Sequence, residues 1–337
     1  MILLTERVSQ SYNKPVNYRE EDAFLFKDEA ERVLPQSGLL VFKNIGVNEN
    51  GELIRWFYFL DHNLTESTKH KAHTRTGIRR FLNGVKNYKY SGKKANYVLL
   101  IDSWSGNYFH FIFDVLPKLF FSEQHIRNLV IVLPDYFPPS YIEFLKQLGF
   151  DRFHFIKHNE ILFIDKVFVP DLIFNPSGVF ANATILSFRQ WLLSKVKING
   201  GLPSFDKIFI SRKNAQSRRI VNEAEIIDLM RSFGYHICYT EDLSVVEQVS
   251  LFAHARFLIS IHGAGLTNML FMPLNSTVVE FRLRVEDPNN TYFRLASVLN
   301  HKYYYVNGEG EKPDFQFTDL IIDKENVRKI LEEISHE

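Results

Sequence analysis

The strongest chemical signal in the chain is one histidine and one carboxylate on a predicted helix. In Trp104-Ser-Gly-Asn-Tyr-Phe-His110-Phe-Ile-Phe-Asp114-Val-Leu-Pro117, His110 and Asp114 are four residues apart, so a helix places them on one face. Their neighbours from Tyr108 to Leu116 are apolar or aromatic, which requires the helix to be largely buried. A carboxylate beside an imidazole fixes its tautomer and raises its pKa, making a general base for an acceptor hydroxyl. The same spacing also suits a structural His–Asp pair that stitches two domains together.

Three further groups follow a predicted break at Asn199-Gly-Gly-Leu-Pro203. Ser211-Arg212-Lys213-Asn214-Ala215-Gln216-Ser217-Arg218-Arg219 comes after a strand, where α/β sheets bind ligands. Planar, permanently charged guanidinium groups suit a diphosphate. Ile261-His262-Gly263-Ala264-Gly265-Leu266-Thr267-Asn268 lies between a strand and a short helix. Its glycines let the backbone approach a ligand, and N–H groups at a helix start favour phosphate. Glu280, at the end of Val278-Val279-Glu280-Phe281, reads as an acceptor for two ribose hydroxyls. The plainer alternatives are solvated loop cations, a tight βα turn and a surface ion pair.

The elements that must position these groups alternate from Tyr97 onward. Strands are predicted over 97–101, 129–133, 152–156 and 166–169, and helices over 107–121, 140–148 and 183–196. After residue 203 the pattern is cleaner. Strands over 207–211, 235–239, 256–261, 277–281 and 302–306 alternate with helices over 222–233, 244–253, 263–271 and 290–299. Asn222 with Glu225, and Ser244 with Glu247, read as capping boxes, and Gly234 as a helix stop. The expectation is an α/β protein with two Rossmann-like domains whose mostly parallel sheets face a central cleft. An N-terminal domain over 1–198 carries the His110 helix, and a nucleotide-binding domain covers 203–322. A last helix over 323–337 could join either.

Composition excludes several classes. The 337 residues suggest about two domains, and 40 Lys+Arg against 39 Asp+Glu give a net charge of +1, which argues against a chain-wide nucleic-acid field. The single Cys238 removes disulfide frameworks and Cys-rich zinc sites. No Gly-x-Gly-x-x-Gly, Walker loop, Gly-x-Ser-x-Gly or His-Glu-x-x-His occurs, nor an Asp-x-Asp to hold a metal. The 31 Phe and 15 Tyr read mainly as core, with sugar-stacking surfaces as the alternative. Between Lys69 and Lys94 stand Lys69, Lys71, Arg75, Arg79, Arg80, Lys86, Lys89, Lys93 and Lys94 with no acid between them. They form a solvated face or a patch for anionic lipid or an acidic acceptor. With neither a signal-like start nor an apolar span, a cytoplasmic protein is expected, peripheral at most to the inner face of a membrane.

Taken in order, these segments resemble glycosyltransferase family 61. The likeness rests on Asn107 to Pro117, on Ile210-Ser-Arg212, Arg218-Arg219, Asn222-Glu223 and Glu247-Gln248, and on His262-Gly-Ala-Gly-Leu-Thr-Asn268 and Val278-Val-Glu280. The resemblance implies a GT-B-like fold and an inverting glycosyltransferase that uses a nucleotide-sugar donor, UDP-linked above all, with no further cofactor and no metal. It implies His110 as base oriented by Asp114, or Asp114 itself as base. It further implies Arg212, Arg218, His262, Gly263, Ala264 and Gly265 at the leaving diphosphate, Asn268 at the phosphate or base, and Glu280 at the ribose. Bacterial members build capsule, lipopolysaccharide and related surface glycans, so a growing glycan or glycolipid is the expected acceptor. A non-catalytic nucleotide-sugar or glycan-binding protein, or a polyol-phosphate transferase of the same pathways, would keep the same pocket. Activity lost on His110→Ala excludes the first, and phosphorus-free product excludes the second.

Overall fold

The computed structural model describes residues 2–27, 29–55, 58–59, 87–91, 95–171, 173–174, 178–197, 203–215, 217–285, 289–310 and 318–336. The chain forms two compact units. One comprises Met1–Arg7 and Pro35–Ile173, the other Val8–Leu34 and Phe174–Glu337.

The first unit is built on a nine-stranded sheet. Its order runs Phe153–Ile156, Leu129–Pro134, Asn96–Leu99, Glu160–Pro170, Ser37–Val47, Leu53–Arg55 and Tyr58–Phe59, with Ile2–Thr5 on Ser37–Val47 and Asn87–Tyr90 on Glu160–Pro170. The half that contains Asn96–Leu99 is parallel, as the alternation predicts. The other half is antiparallel: Glu160–Pro170 runs against Ser37–Val47 from Leu162↔Val47 to Pro170↔Leu39. The sheet is therefore mixed rather than mostly parallel, because the N-terminal strands reach it without a helical crossover.

The helix that carries His110 and Asp114 changes its winding midway. It is α over Tyr108–His110, π over Phe111–Val115 and α again over Leu116–His125. Pro117 has no N–H to offer the carbonyl four residues back, and the ladder slips by one residue beside it: the Leu116 N–H goes to the Phe111 carbonyl. All five residues of the wide turn are buried. Asn107 caps the start, its Oδ1 accepting from Phe109 N at 2.9 Å.

The second unit holds a sheet ordered His236–Cys238, Lys207–Ile210, Phe257–Ile261, Thr277–Leu283, Lys302–Gly310 and Leu320–Ile321. Every pairing in it is parallel except the last. Helices Glu223–Ser232, Val245–Phe252 and Thr291–Val298 connect its strands. The core joins Phe209, Ile259, Val279, Phe281 and Tyr304 of the sheet to Ile226 and Met230 of Glu223–Ser232 and to Ile330, Leu331 and Ile334 of the last helix, Lys324–Ser335. That last helix thus belongs to the second unit.

The division between units falls at 173/174 and not at the Gly/Pro run after residue 198. Residues 182–195 form a helix that joins the second unit, where Arg189 donates to the carbonyls of Leu270 (2.8 Å) and Met272 (2.7 Å). Residues 8–34 also join that unit, so the first is not continuous from residue 1. A local break in sequence marks where a chain can turn. It does not mark which core the flanking helix covers.

Of the expected capping boxes, Ser244 forms one with Glu247, with Ser244 N donating to Glu247 Oε2 at 2.7 Å and Glu247 N to Ser244 Oγ at 3.3 Å. Asn222 does not cap its own helix. Its side chain instead donates to the Ile322 carbonyl and accepts from Ile322 N. Gly234 takes φ +79 just past Glu223–Ser232, the left-handed helix stop its position suggested.

Candidate active site

In the first unit, His110 Nδ1–H donates to Asp114 Oδ2 at 2.6 Å. The imidazole is partly open and Asp114 is buried. Burial disfavours the imidazolium, but the Asp114 carboxylate, helped by Asp102, outweighs it and holds the His110 pKa above its ordinary value despite the charge of Lys118. Lys118 is itself buried on the same helix and donates to the Leu100 carbonyl at 3.2 Å. With Nδ1–H tied to the carboxylate, the proton-accepting nitrogen of the neutral ring is Nε2.

In the second unit, the strand order reverses around Lys207–Ile210: the next strand in sequence, His236–Cys238, lies on one side and Phe257–Ile261 on the other. The crevice outside the carboxyl ends of two such strands is where open α/β sheets bind ligands. Ser211-Arg212 leaves one of these strands and His262-Gly263 the other. Arg212 is held there by its own loop, Nε donating to the Arg218 carbonyl (3.2 Å) and Nη2 to the Ser217 carbonyl (3.1 Å). Ser211 Oγ and Arg212 N both donate to Glu223 Oε1.

The glycines have a steric reason. A Cβ at Gly263 would stand 2.7 Å from Arg212 Nη1, so the guanidinium lies directly over that backbone. A Cβ on Gly265 would press at 3.2 Å on two Ile210 methyl carbons. The turn continues as a 3₁₀ helix, Ala264–Leu270. Asn268 lies buried within that helix and donates to Gln248 Oε1 (2.9 Å) and to the Gly265 carbonyl (3.1 Å), fastening the turn from behind.

The two adjacent arginines diverge. Arg219 pairs with Asp319, Nη2 donating to Oδ2 at 2.8 Å. Arg218 adopts a left-handed backbone (φ +58), uncommon for a residue with a side chain. Its Nε is buried without a hydrogen-bond partner among the described residues. It lines a small pocket of about 20 Å³ together with His262, Arg282, Asn289 and Thr318.

Behind that pocket, Glu280 is fully buried. Its Oε1 bonds to His262 Nδ1 and its Oε2 accepts from Tyr303 OH at 2.5 Å. Burial pushes the Glu280 carboxyl up, but His262, Arg282 and the Tyr303 hydroxyl together hold it below the usual range. His262, buried beside Arg218 and Arg282, is held below its ordinary pKa, so we assign a neutral imidazole on an ionised carboxylate. Both Glu280 oxygens are occupied within the fold. Glu280, the side chain expected at a ribose, also orients His262. Composition and spacing did not single out Tyr303, Tyr292, which meets the His262 ring edge-on at 5.0 Å, or Gln248 behind Asn268. The match to Glu247-Gln248 had flagged Gln248 only as part of a motif.

Among the described residues, no three His, Cys, Asp or Glu side chains group to hold a metal ion. Among the same residues, no helix is long and apolar enough to cross a membrane. Of the basic residues between Lys69 and Lys94, only Lys89 is described, and the patch as a whole lies outside the described residues.

An α/β unit with cations at its switch point stands in a chain that also holds a His–Asp pair with a buried carboxylate and a partly open imidazole. The profile of the Glycosyltransferase 61 family matches residues 108–279, from two positions before His110 to one before Glu280. The chain belongs to that family. It is 24% identical over 209 residues to a beta-1,2-xylosyltransferase of Oryza sativa subsp. japonica, a match that covers 54% of this chain and 36% of that protein. It is 29% identical over 150 residues to protein O-linked-mannose beta-1,4-N-acetylglucosaminyltransferase 2 of Canis lupus familiaris, covering 41% and 26%. The human protein of the same name is 30% identical over 150 residues, with the same coverage. The matched segments thus span about a third or less of these relatives.

Proposed function

We propose that the protein is an inverting glycosyltransferase that moves a sugar from a nucleotide donor, UDP-linked, to a hydroxyl of a growing bacterial surface polysaccharide or glycolipid. The two-domain GT-B arrangement is part of this reading, as is work at the inner face of the membrane, with the Lys69–Lys94 segment against anionic lipid. In the reaction, His110 Nε2 takes the proton of the acceptor hydroxyl, and Asp114 steadies the imidazolium that forms. The acceptor oxygen bonds to the anomeric carbon from the face opposite the leaving group. The bond from that carbon to the phosphate oxygen breaks, and the nucleotide departs with the electron pair. Arg212 and Arg218 neutralise the charge that develops on the phosphate, so the reaction proceeds without a metal. His262, its Nδ1–H given to Glu280, presents Nε2 as an acceptor for a hydroxyl of the donor beside that phosphate.

The observation that carries this reading is the switch-point cluster, in which Arg212 is held on its loop and Arg218, its buried Nε without a hydrogen-bond partner among the described residues, lines one pocket with His262. The test is thermal stability with UDP, GDP, ADP, dTDP and CMP, each with and without EDTA. A nucleotide at about 100 times its dissociation constant adds roughly 2.7 kcal/mol, which moves the midpoint by several degrees. A shift with one base, unchanged by EDTA, is expected. No shift with any of the five overturns the reading.

A further inference from the structure

Trp104 stands apart from the other aromatic residues around His110. It is 59% exposed, whereas the nearby Phe111 and Phe113 are buried. Of the two tryptophans among the described residues, the other, Trp191, stacks on Phe188. A tryptophan ordinarily covers a large apolar area, so leaving one in water beside the partly open His110 ring needs a reason. The ring is not on a loose tether. Asp102 Oδ1 accepts from Trp104 N at 2.8 Å and from Ser105 Oγ at 3.1 Å, and Ser105 Oγ accepts from Asp102 N at 2.9 Å. Asn107 N donates to the Trp104 carbonyl at 2.8 Å, joining the turn to the start of the helix. The buried Ser105 anchors the turn from inside. These bonds fix the backbone from which the exposed indole projects. Its ring centre lies 6.0 Å from that of His110, with the planes inclined by 31°.

We propose that Trp104 is the stacking platform for the acceptor sugar, a pyranose ring laid with its axial C–H face on the indole. The face of an indole carries the negative side of its quadrupole and attracts the weakly positive C–H groups of a sugar, whose hydroxyls project from the rim. A pyranose on this platform has rim hydroxyls beside the His110 imidazole, where one of them loses its proton. The assignment rests on the glycosyl-transfer reading for the role of His110, while the platform itself is tested independently of transfer.

The probes are methyl α- and β-glycosides of glucose, galactose, mannose and xylose at millimolar concentration, observed by saturation-transfer NMR with the full chain. At least one glycoside is expected to receive saturation at its axial protons from the wild type, to lose it in Trp104→Ala and to keep it in Trp104→Phe. With that glycoside as acceptor, Trp104→Ala raises KM about five- to tenfold, the size of one aromatic contact. Its kcat stays within about twofold, and Trp104→Phe recovers most of the loss. Trp104→Leu, apolar but without a flat ring, serves if the alanine variant fails to fold. An unchanged saturation pattern in the variant without a flat ring overturns the proposal, as does the absence of any contact between the wild type and the whole panel. If no nucleotide shifts the thermal midpoint yet the pattern depends on Trp104, the transferase reading falls and the sugar platform stands.

Discussion

At the scale of single residues, the His110–Asp114 pair sets the pH at which the proposed reaction runs. The raised pKa of His110 keeps the imidazole protonated to a higher pH than a free histidine, which titrates near about 6.5. A base must be neutral, so kcat/KM should rise with pH through a limb above that value. In Asp114→Asn the limb should move to lower pH and the plateau should drop, the tautomer being no longer fixed. His110→Ala should lose about 10²- to 10⁴-fold in kcat with little change in KM. A rate profile from pH 5 to 9 checks both, and a limb unmoved by Asp114→Asn removes the pair from the proton transfer. The spacing of these two residues was legible in the sequence because four positions on a helix bring side chains together whatever surrounds them. The engagement of both Glu280 oxygens was not, because Tyr303 lies on the adjacent strand, 23 positions away, and His262 in the turn after the preceding strand, Phe257–Ile261.

At the scale of elements, the second unit was readable because its signals are local. The Ser244–Glu247 box, Gly234 and the Gly-rich turn each act within a few residues. Ser244→Ala should lower stability by about 1 kcal/mol, seen as a small fall in the thermal midpoint. Gly263→Ala should do more than cost stability. Its Cβ drives Arg212 off the switch point, so the nucleotide-induced thermal shift should shrink or vanish while the unliganded midpoint falls modestly. An undiminished shift would show that Arg212 takes no part in nucleotide binding. The π turn was not legible, since five apolar or buried residues before a proline read as ordinary helix until the hydrogen bonds are traced. The antiparallel half of the first sheet was hidden for a different reason: Leu162↔Val47 and its neighbours are paired over more than a hundred residues, and no turn announces them.

At the scale of the whole molecule, stability in the second unit depends on buried carboxylates. Glu29 and Glu280 are both held below their ordinary pKa: burial raises each, and Arg294 and Asn290 for the one, His262 and Arg282 for the other, outweigh it. For such groups the unfolded chain binds more protons at mildly acid pH, so their contribution is present above about pH 4.3. It is lost as pH falls through the lower folded values. Acid unfolding followed by circular dichroism should therefore begin in this unit, and Glu280→Gln should weaken that dependence. Glu29→Ala leaves Arg294, bound at 2.7 and 2.5 Å, as an uncompensated buried cation. Breaking a buried pair in this way costs ~3–5 kcal/mol, and the midpoint should fall by several degrees with His110 untouched.

The attachment of residues 8–34 to the second unit also orders events during synthesis. Glu29 meets Arg294 only after 265 further residues are made, and Asn17 meets Tyr305 after 288. At translation rates of about 5–20 residues per second, this segment waits roughly 13 to 58 seconds for its partners. Phe26, which ends against Phe293 and Tyr305, travels uncovered with Phe24 and Leu25 throughout that interval, while residues 35–173 are already long enough to collapse on their own. Residues 8–34 are thus made well before the residues of the second unit that cover them, and it is there that a nascent-chain chaperone has most to shield.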